Sequence, residues 1–97
     1  MTIKAYRGRH QIIAKMLNII NESESKGATR TSIMYKAFLS HAQLKEYLSF
    51  LLENGLIEGI PVKIKNHGNE KLIYKITQKG LRLLQISHEM EILADLD

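Results

Sequence analysis

The stretch from Thr31 to Gly55 carries the pattern that most constrains the fold of this chain. Its second half repeats apolar residues at intervals of three and four, which is the spacing of a helix with one buried face: Leu44, Tyr47, Leu48, Leu51 and Leu52. Ser40 and Gln43 have the spacing of a capping box at the start of that helix. Asn54 and Gly55 provide a helix end, because glycine tolerates the left-handed conformation found there. The pattern therefore predicts a helix over residues 40–54.

A shorter apolar pattern precedes this helix and predicts another helix over residues 31–37, with Ile33, Met34 and Ala37 facing the same core. Two helices joined by a short turn form the frame of a helix-turn-helix, whose second helix enters the major groove of DNA. We therefore predict that residues 40–54 form a DNA-recognition helix.

Residues 56–77 change from helical spacing to strict alternation. Ile60, Val62 and Ile64 alternate with Pro61, Lys63 and Lys65, and a second alternating run covers residues 72–77. Residues 66–70 between the runs are rich in residues that accept turn conformations. The pattern predicts a β-hairpin with a basic face, with Pro61 at an edge or strand start because proline cannot donate a ladder hydrogen bond. A hairpin directly after a recognition helix is a wing.

Two further helices are expected on either side of this unit. The first covers about residues 7–22, followed by a polar loop over residues 21–28. The last covers residues 77–94 and has two apolar faces, so we expect both to be buried. One face has a spacing typical of helix pairing and predicts a homodimer interface: Leu83, Ile86, Met90 and Leu93. The alternative is a last helix that packs entirely within its own domain.

The charge distribution favours a polyanionic partner. Residues 1–82 contain 14 basic and six acidic residues, whereas residues 83–97 contain no basic and four acidic residues. The body of the chain is therefore attracted to nucleic acid, and the acidic end is repelled from it. A solvated basic surface without a ligand is the other interpretation of charge alone.

Several classes of function are disfavoured. The absence of cysteine excludes disulfides, thiolate catalysis and cysteine-based zinc sites. The four histidines fall on different predicted elements, and no nucleophile elbow, phosphate loop or dinucleotide fingerprint occurs. We therefore expect no enzyme activity, cofactor or metal site. No apolar run is long enough to span a membrane and no secretion signal is evident, so a cytoplasmic location is expected.

The predicted DNA contacts come from the recognition helix, the segments before it and the wing. Gln43 could pair with adenine, His41 or Lys45 with guanine or phosphate, and Glu46 with cytosine. The complete predicted set is Arg7, Arg9, Arg30, Thr31, Ser40, His41, Ala42, Gln43, Lys45, Glu46, Ser49, Lys63, Lys65, Asn66, His67 and Lys71. Since the helix itself offers few cations, most of the affinity is expected from Arg30 and the wing lysines, with Arg7 and Arg9 as further contributors.

Two sequence motifs resemble those of the archaeal winged-helix regulators. The first comprises Tyr47, Leu51, Gly55, Leu56 and Ile57, and the second comprises Tyr74, Ile76, Thr77 and Gly80. The resemblance covers about residues 7–88. It implies a DNA-binding, often homodimeric transcriptional regulator or a small chromatin-associated protein, with the C-terminal helix as the usual dimer contact.

We therefore predict one domain over residues 1–97, mainly α with a small β-hairpin (α+β). Its architecture is a winged helix-turn-helix with a three-helix core, a wing and a C-terminal dimerisation helix. The leading functional interpretation is a non-enzymatic double-stranded DNA-binding protein that regulates transcription. The alternative is a winged-helix protein-interaction module of the transcription or replication machinery. A small-molecule sensor is disfavoured, and no small-molecule ligand is predicted, because 97 residues leave little room for a large apolar pocket.

Overall fold

The computed structural model describes residues 8–64 and 70–95. A turn of 3-10 helix over Glu24–Lys26 separates the first helix from the first strand. The other elements, in chain order, are α1 (Arg9–Glu22), β1 (Ala28–Thr29), α2 (Arg30–Ala37), α3 (His41–Glu53), β2 (Ile57–Lys63), β3 (Glu70–Ile76) and α4 (Gln78–Asp95). The fold is thus α+β, as the sequence predicts, with the predicted recognition helix at α3 and the predicted wing hairpin at β2–β3. Four predicted contact residues lie outside the described residues: Arg7, Lys65, Asn66 and His67.

Both ends of α3 are fixed by local hydrogen bonds that the sequence predicts. The Ser40 hydroxyl accepts from the Gln43 N–H at 3.2 Å, and the Gln43 side-chain oxygen accepts from the Ser40 N–H at 3.0 Å. At the other end Gly55 has a φ of 69°, and the Leu56 N–H donates to the Leu51 carbonyl at 2.9 Å. These are a capping box and a glycine-terminated Schellman end. The length of α3 is therefore set by its own sequence.

The three helices α1, α2 and α3 meet in one apolar core. Its most deeply buried side chains come from all three: Met16, Leu17, Ile20, Ile33, Leu44 and Leu51. The predicted stripe of α3 is buried as expected except at Leu52, which is 40% exposed. Leu52 lies roughly 90° from the centre of the stripe on a helix of 3.6 residues per turn, so it faces past the core. Phe50, on the opposite flank, packs partly against the core instead.

The sheet has three strands in the order β1-β3-β2 rather than the two expected. Ala28 pairs with Tyr74 and Thr29 with Ile73, so the predicted loop over residues 21–28 ends in a strand. A strand of two residues is too short to show alternation, which is why the sequence pattern does not reveal it. The β2 strand lies at an edge of the sheet, in agreement with the prediction from Pro61.

A compact junction connects the end of α3, the start of the wing and the start of α4. The Thr77 N–H donates to the Leu56 carbonyl at 3.1 Å, and its hydroxyl lies 2.7 Å from the Gly55 carbonyl oxygen. The same hydroxyl accepts from the Gly80 N–H at 3.0 Å and so caps α4. The backbones approach closely here, because a Cβ atom on Gly80 would lie 2.1 Å from the Leu56 oxygen. The Thr-x-x-Gly motif is therefore structural.

The two apolar faces of α4 are not both buried within this chain. Leu84 is buried, and Leu83 packs partly against the core. Farther along the helix, Ile86, Met90 and Leu93 are 44%, 65% and 64% exposed. Only the first half of α4 therefore packs against the core of this chain.

The close approach at Gly80 leads to a stability prediction. Gly80→Ala is expected to lower the free energy of unfolding by about 1–3 kcal/mol, because the added methyl group forces α4 away from the Leu56 carbonyl. Urea denaturation measures the change. Gly59→Ala is the matched control, since its Cβ would lie 3.5 Å from the Tyr74 ring, an ordinary contact. Equal stability of the two variants would contradict the junction.

Candidate nucleic-acid interface

The outer face of α3 carries the residues predicted to read DNA bases. We define this outer face as His41, Ala42, Gln43, Lys45, Glu46 and Ser49, all of which are exposed. They are exposed because the apolar stripe on the opposite side holds the helix against α1 and α2. The core therefore presents a polar helix edge to solvent, as the helical spacing predicts.

Gln43 is less available for base reading than its type suggests. Reading adenine requires its amide oxygen to accept from one base atom while its nitrogen donates to another. That oxygen already accepts from the Ser40 N–H at 3.0 Å. A bidentate contact with adenine would therefore require the capping box to open. The structure favours a role for Gln43 in capping the N-terminus of α3.

Arg9 and Glu46, which were predicted as separate DNA contacts, are paired with each other. An Arg9 guanidinium nitrogen lies 3.4 Å from a Glu46 carboxylate oxygen. The guanidinium also lies 5.5 Å from the Tyr47 ring centre and 5.0 Å from that of Phe50. Cation–π attraction thus fixes the start of α1 against α3. The pairing joins residues 37 positions apart, so helical spacing could not reveal it.

The start of α2 and the wing place three more of the predicted contact cations, Arg30, Lys63 and Lys71, at the surface. Thr29 is the N-cap of α2 and accepts from the Ser32 N–H at 3.1 Å, while Arg30 and Thr31 are exposed in the first turn. In the wing, Lys63 and Lys71 are both exposed, and Lys63 lies opposite Glu70. The charge of Lys63 is therefore partly offset by its cross-strand neighbour. Phosphate binding by these groups remains a prediction.

Sequence analysis missed two exposed aromatic side chains beside the recognition helix. Tyr35 on α2 is 70% exposed and Phe38, in the turn that follows, is 80% exposed. Phe38 has a φ of 57°, in the left-handed region that favours glycine. The apolar character of Phe38 suggests a core residue, and no local sequence signal marks it as exposed.

An open groove lies between α1, the end of α3 and α4. Its volume is about 510 Å³, and apolar side chains dominate its lining, including Ile13, Phe50, Leu83 and Ile86. Lys79 and Arg82 line it as well. The groove is open to solvent along its length and is not an enclosed pocket. The groove forms because α4 packs against the body only along its first half.

Residues 8–64 and 70–95 include no helix that is both long and apolar enough to cross a membrane.

Comparisons with known proteins agree with this architecture. The family model for the winged helix-turn-helix matches residues 6–95. An uncharacterized protein of Methanocaldococcus jannaschii, MJ0287, is 32% identical over 84 residues, which are 87% of this chain and 73% of that protein.

Solved structures show the same fold. The crystal structure of Sso10a-2, a DNA-binding protein from Sulfolobus solfataricus, superposes with a TM-score of 0.67 at 25% identity. The match covers 93% of this chain and 85% of that one. The structure of a MepR–DNA complex from S. aureus matches with a TM-score of 0.64 at 19% identity, over 81% of this chain and 57% of MepR.

Three findings lead to one conclusion. The core holds a polar edge of α3 outward, a hairpin follows this helix directly, and the family model matches residues 6–95. This chain belongs to the winged helix-turn-helix family and has the fold of DNA-binding transcription regulators.

Proposed function

We propose that this protein is a non-enzymatic, double-stranded DNA-binding transcriptional regulator. In this proposal α3 enters the major groove and the basic wing contacts the phosphate backbone or the minor groove. The observation that carries the proposal is the outer face of α3, which is polar and exposed along its length while the other side of the helix is anchored in the core. A helix in this position is the reading element of helix-turn-helix proteins.

Electrostatics supports DNA as the partner. The chain carries a net charge of +4, and residues 1–82 contain all 14 of its basic residues. On the outer face of α3, the negative charge of Glu46 is partly compensated by Arg9 at 3.4 Å. The ion pair therefore reduces the repulsion that a carboxylate would exert on phosphates.

The known proteins with this fold support the same assignment. Sso10a-2 is described as a DNA-binding protein, and MepR has been solved in complex with DNA. A helix that reads bases and a wing that contacts the backbone require no cofactor or catalytic group. The proposal accordingly assigns no reaction to the chain.

We further propose that the protein is a homodimer formed through α4. The support is the row of exposed apolar side chains along its second half, including Ile86, Met90 and Leu93. The two ends of α4 also differ in charge, with Lys79 and Arg82 near its start and Glu89 and Glu91 near its end. An antiparallel pair of α4 helices would bring opposite charges together and cover part of the adjoining groove.

The DNA proposal predicts salt-dependent binding to which the wing contributes. The logarithm of the association constant is expected to fall by about 0.9 per phosphate contact for each decade of salt, because bound cations displace condensed counterions. Lys63→Ala should lower that slope by about one contact and weaken binding to all duplexes alike. Fluorescence anisotropy with labelled duplexes at several salt concentrations measures both quantities.

Lys15→Ala is the matched control, because Lys15 is an exposed lysine of α1 outside the predicted contact set. It removes the same charge and is expected to leave the salt slope unchanged. A wild-type association constant that does not vary with salt would rule out this mode of binding.

The dimer proposal predicts that charge on the exposed half of α4 separates the protomers. Ile86→Glu combined with Met90→Glu should give monomers, because both side chains would place a carboxylate in the apolar contact. Sedimentation equilibrium measures the mass, and circular dichroism checks that the fold is retained. Glu91→Gln is a control on the same helix. An unchanged dimer mass in the double variant would refute this interface.

A further inference from the structure

We propose that Arg9 and Glu46 act together as one base reader, which recognises a guanine–cytosine pair in the major groove. This inference rests on the proposed function, because it names the base pair that is read at one position of the interface. It goes beyond the expectation of two separate DNA contacts, since a residue of α1 and a residue of α3 would read the same base pair.

The first support is the closeness of two complementary groups at the surface. An Arg9 guanidinium nitrogen lies 3.4 Å from a Glu46 carboxylate oxygen, and the two side chains are 54% and 61% exposed. An ion pair as exposed as this one contributes little to folding stability. Hydrogen-bond donors and acceptors therefore lie side by side where a large ligand can reach both of them.

The second support is the way in which Arg9 is held. Its guanidinium lies 5.5 Å from the centre of the Tyr47 ring and 5.0 Å from that of Phe50. Cation–π attraction to two rings restrains a side chain that otherwise samples many rotamers. The Tyr47 ring is buried in the core, so its own position is fixed. Arg9 therefore loses less conformational freedom on binding a ligand than an unrestrained arginine does.

The third support is the position of the pair along α3. Glu46 is the sixth of the 13 residues of this helix and belongs to its outer face. The N-terminal part of a recognition helix is the part that meets base edges. A base atom hydrogen-bonded to the Glu46 carboxylate lies about 3 Å from it, and hence within roughly 7 Å of the Arg9 nitrogen. Both side chains therefore address the same part of the groove.

The order of donors and acceptors selects the base pair. In the major groove, guanine presents its N7 and O6 acceptors, and cytosine presents its N4 amino donor beside them. A guanidinium donates two parallel hydrogen bonds and a carboxylate accepts one, so Arg9 and Glu46 match this order. An A·T pair instead has the N6 amino donor of adenine between two acceptors, and this donor would face the guanidinium. The two side chains are thus complementary to G·C and not to A·T.

The carboxylate also indicates that Arg9 meets a base and not a phosphate. At a phosphate, Glu46 would repel the same group that Arg9 attracts, which weakens the contact. Base edges carry no net charge, so this repulsion is absent there. Beside a base pair, the carboxylate supplies the acceptor that the cytosine amino group requires.

A pool of duplexes with a randomised central segment, sequenced after binding, identifies the bases that the wild type prefers. The preferred site is expected to contain a G·C pair whose replacement by A·T lowers affinity about tenfold or more. Arg9→Lys and Glu46→Ala should each reduce this preference to about twofold or less, because each residue positions the other. The double variant should lose no more than either single variant, whereas preferences at other positions remain.

Two controls separate base reading from charge. Arg9→Lys keeps the positive charge but lacks the planar fork, so the slope of its affinity against salt should equal that of the wild type. Glu53→Ala removes an exposed carboxylate of α3 outside the predicted contact set and should keep the G·C preference. Circular dichroism and thermal unfolding check that each variant is folded, which is expected because the substituted side chains are exposed.

A modified base locates the Arg9 contact. Replacing the guanine of the preferred pair by 7-deazaguanine removes its N7 acceptor in the major groove. The wild type should lose affinity about fivefold, which corresponds to one hydrogen bond. The Arg9→Lys variant should bind both duplexes equally.

Three results would contradict the proposal. An Arg9→Lys variant with the wild-type preference would show that Arg9 acts only through its charge. Losses of the two single variants that add in the double variant would show two separate contacts. Wild-type binding without preference for any base pair would show that neither residue reads bases. In each case binding itself persists, whereas failure of the wild type to bind any duplex would reject the proposed function.

Discussion

The junction around Thr77 is the constraint on which the rest of the structure depends. One threonine caps α4 through the Gly80 N–H while its own N–H and hydroxyl reach the carbonyls at the end of α3. A chain that leaves α3 at Gly55 must therefore pass through both wing strands and return to the same point. Because Gly80 has no side chain, the two backbones can approach closely enough for these bonds. The junction fixes where the β2–β3 hairpin and α4 start relative to α3.

The exposed face of α3 is a consequence of this packing. The apolar side of the helix is committed to the core, so its polar side must face solvent. Arg9 then modifies that face from a distant part of the chain by pairing with Glu46 and lying over two aromatic rings. Part of the charge on the outer face of α3 is therefore supplied by α1. Gln43 is instead withdrawn from this face. Its type suits base reading, but its side-chain oxygen is engaged in capping the helix.

The last helix has two roles along its length. Its first half completes the core through Leu84 and Leu83, whereas its second half carries apolar side chains that its own chain leaves exposed. The groove of about 510 Å³ lies where these halves meet α1 and the end of α3. In the proposed dimer, a second α4 would lie beside this groove. Phe50 near the end of α3 and Leu56 just after it also line this groove.

Local sequence determined the parts of this protein that depend on neighbouring residues. Helical spacing, the capping box of Ser40 and Gln43, the glycine after α3 and the alternation of the wing all act over a few residues, so they predict the elements and the exposed face of α3. Tertiary structure alone decided the two-residue strand at Ala28, the pairing of Arg9 with Glu46, the groove and the exposure of Phe38. Each of these arises where segments far apart in sequence meet, or where a turn directs a side chain away from the core. A periodic pattern within one segment cannot reveal such contacts, because they depend on residues that belong to another segment.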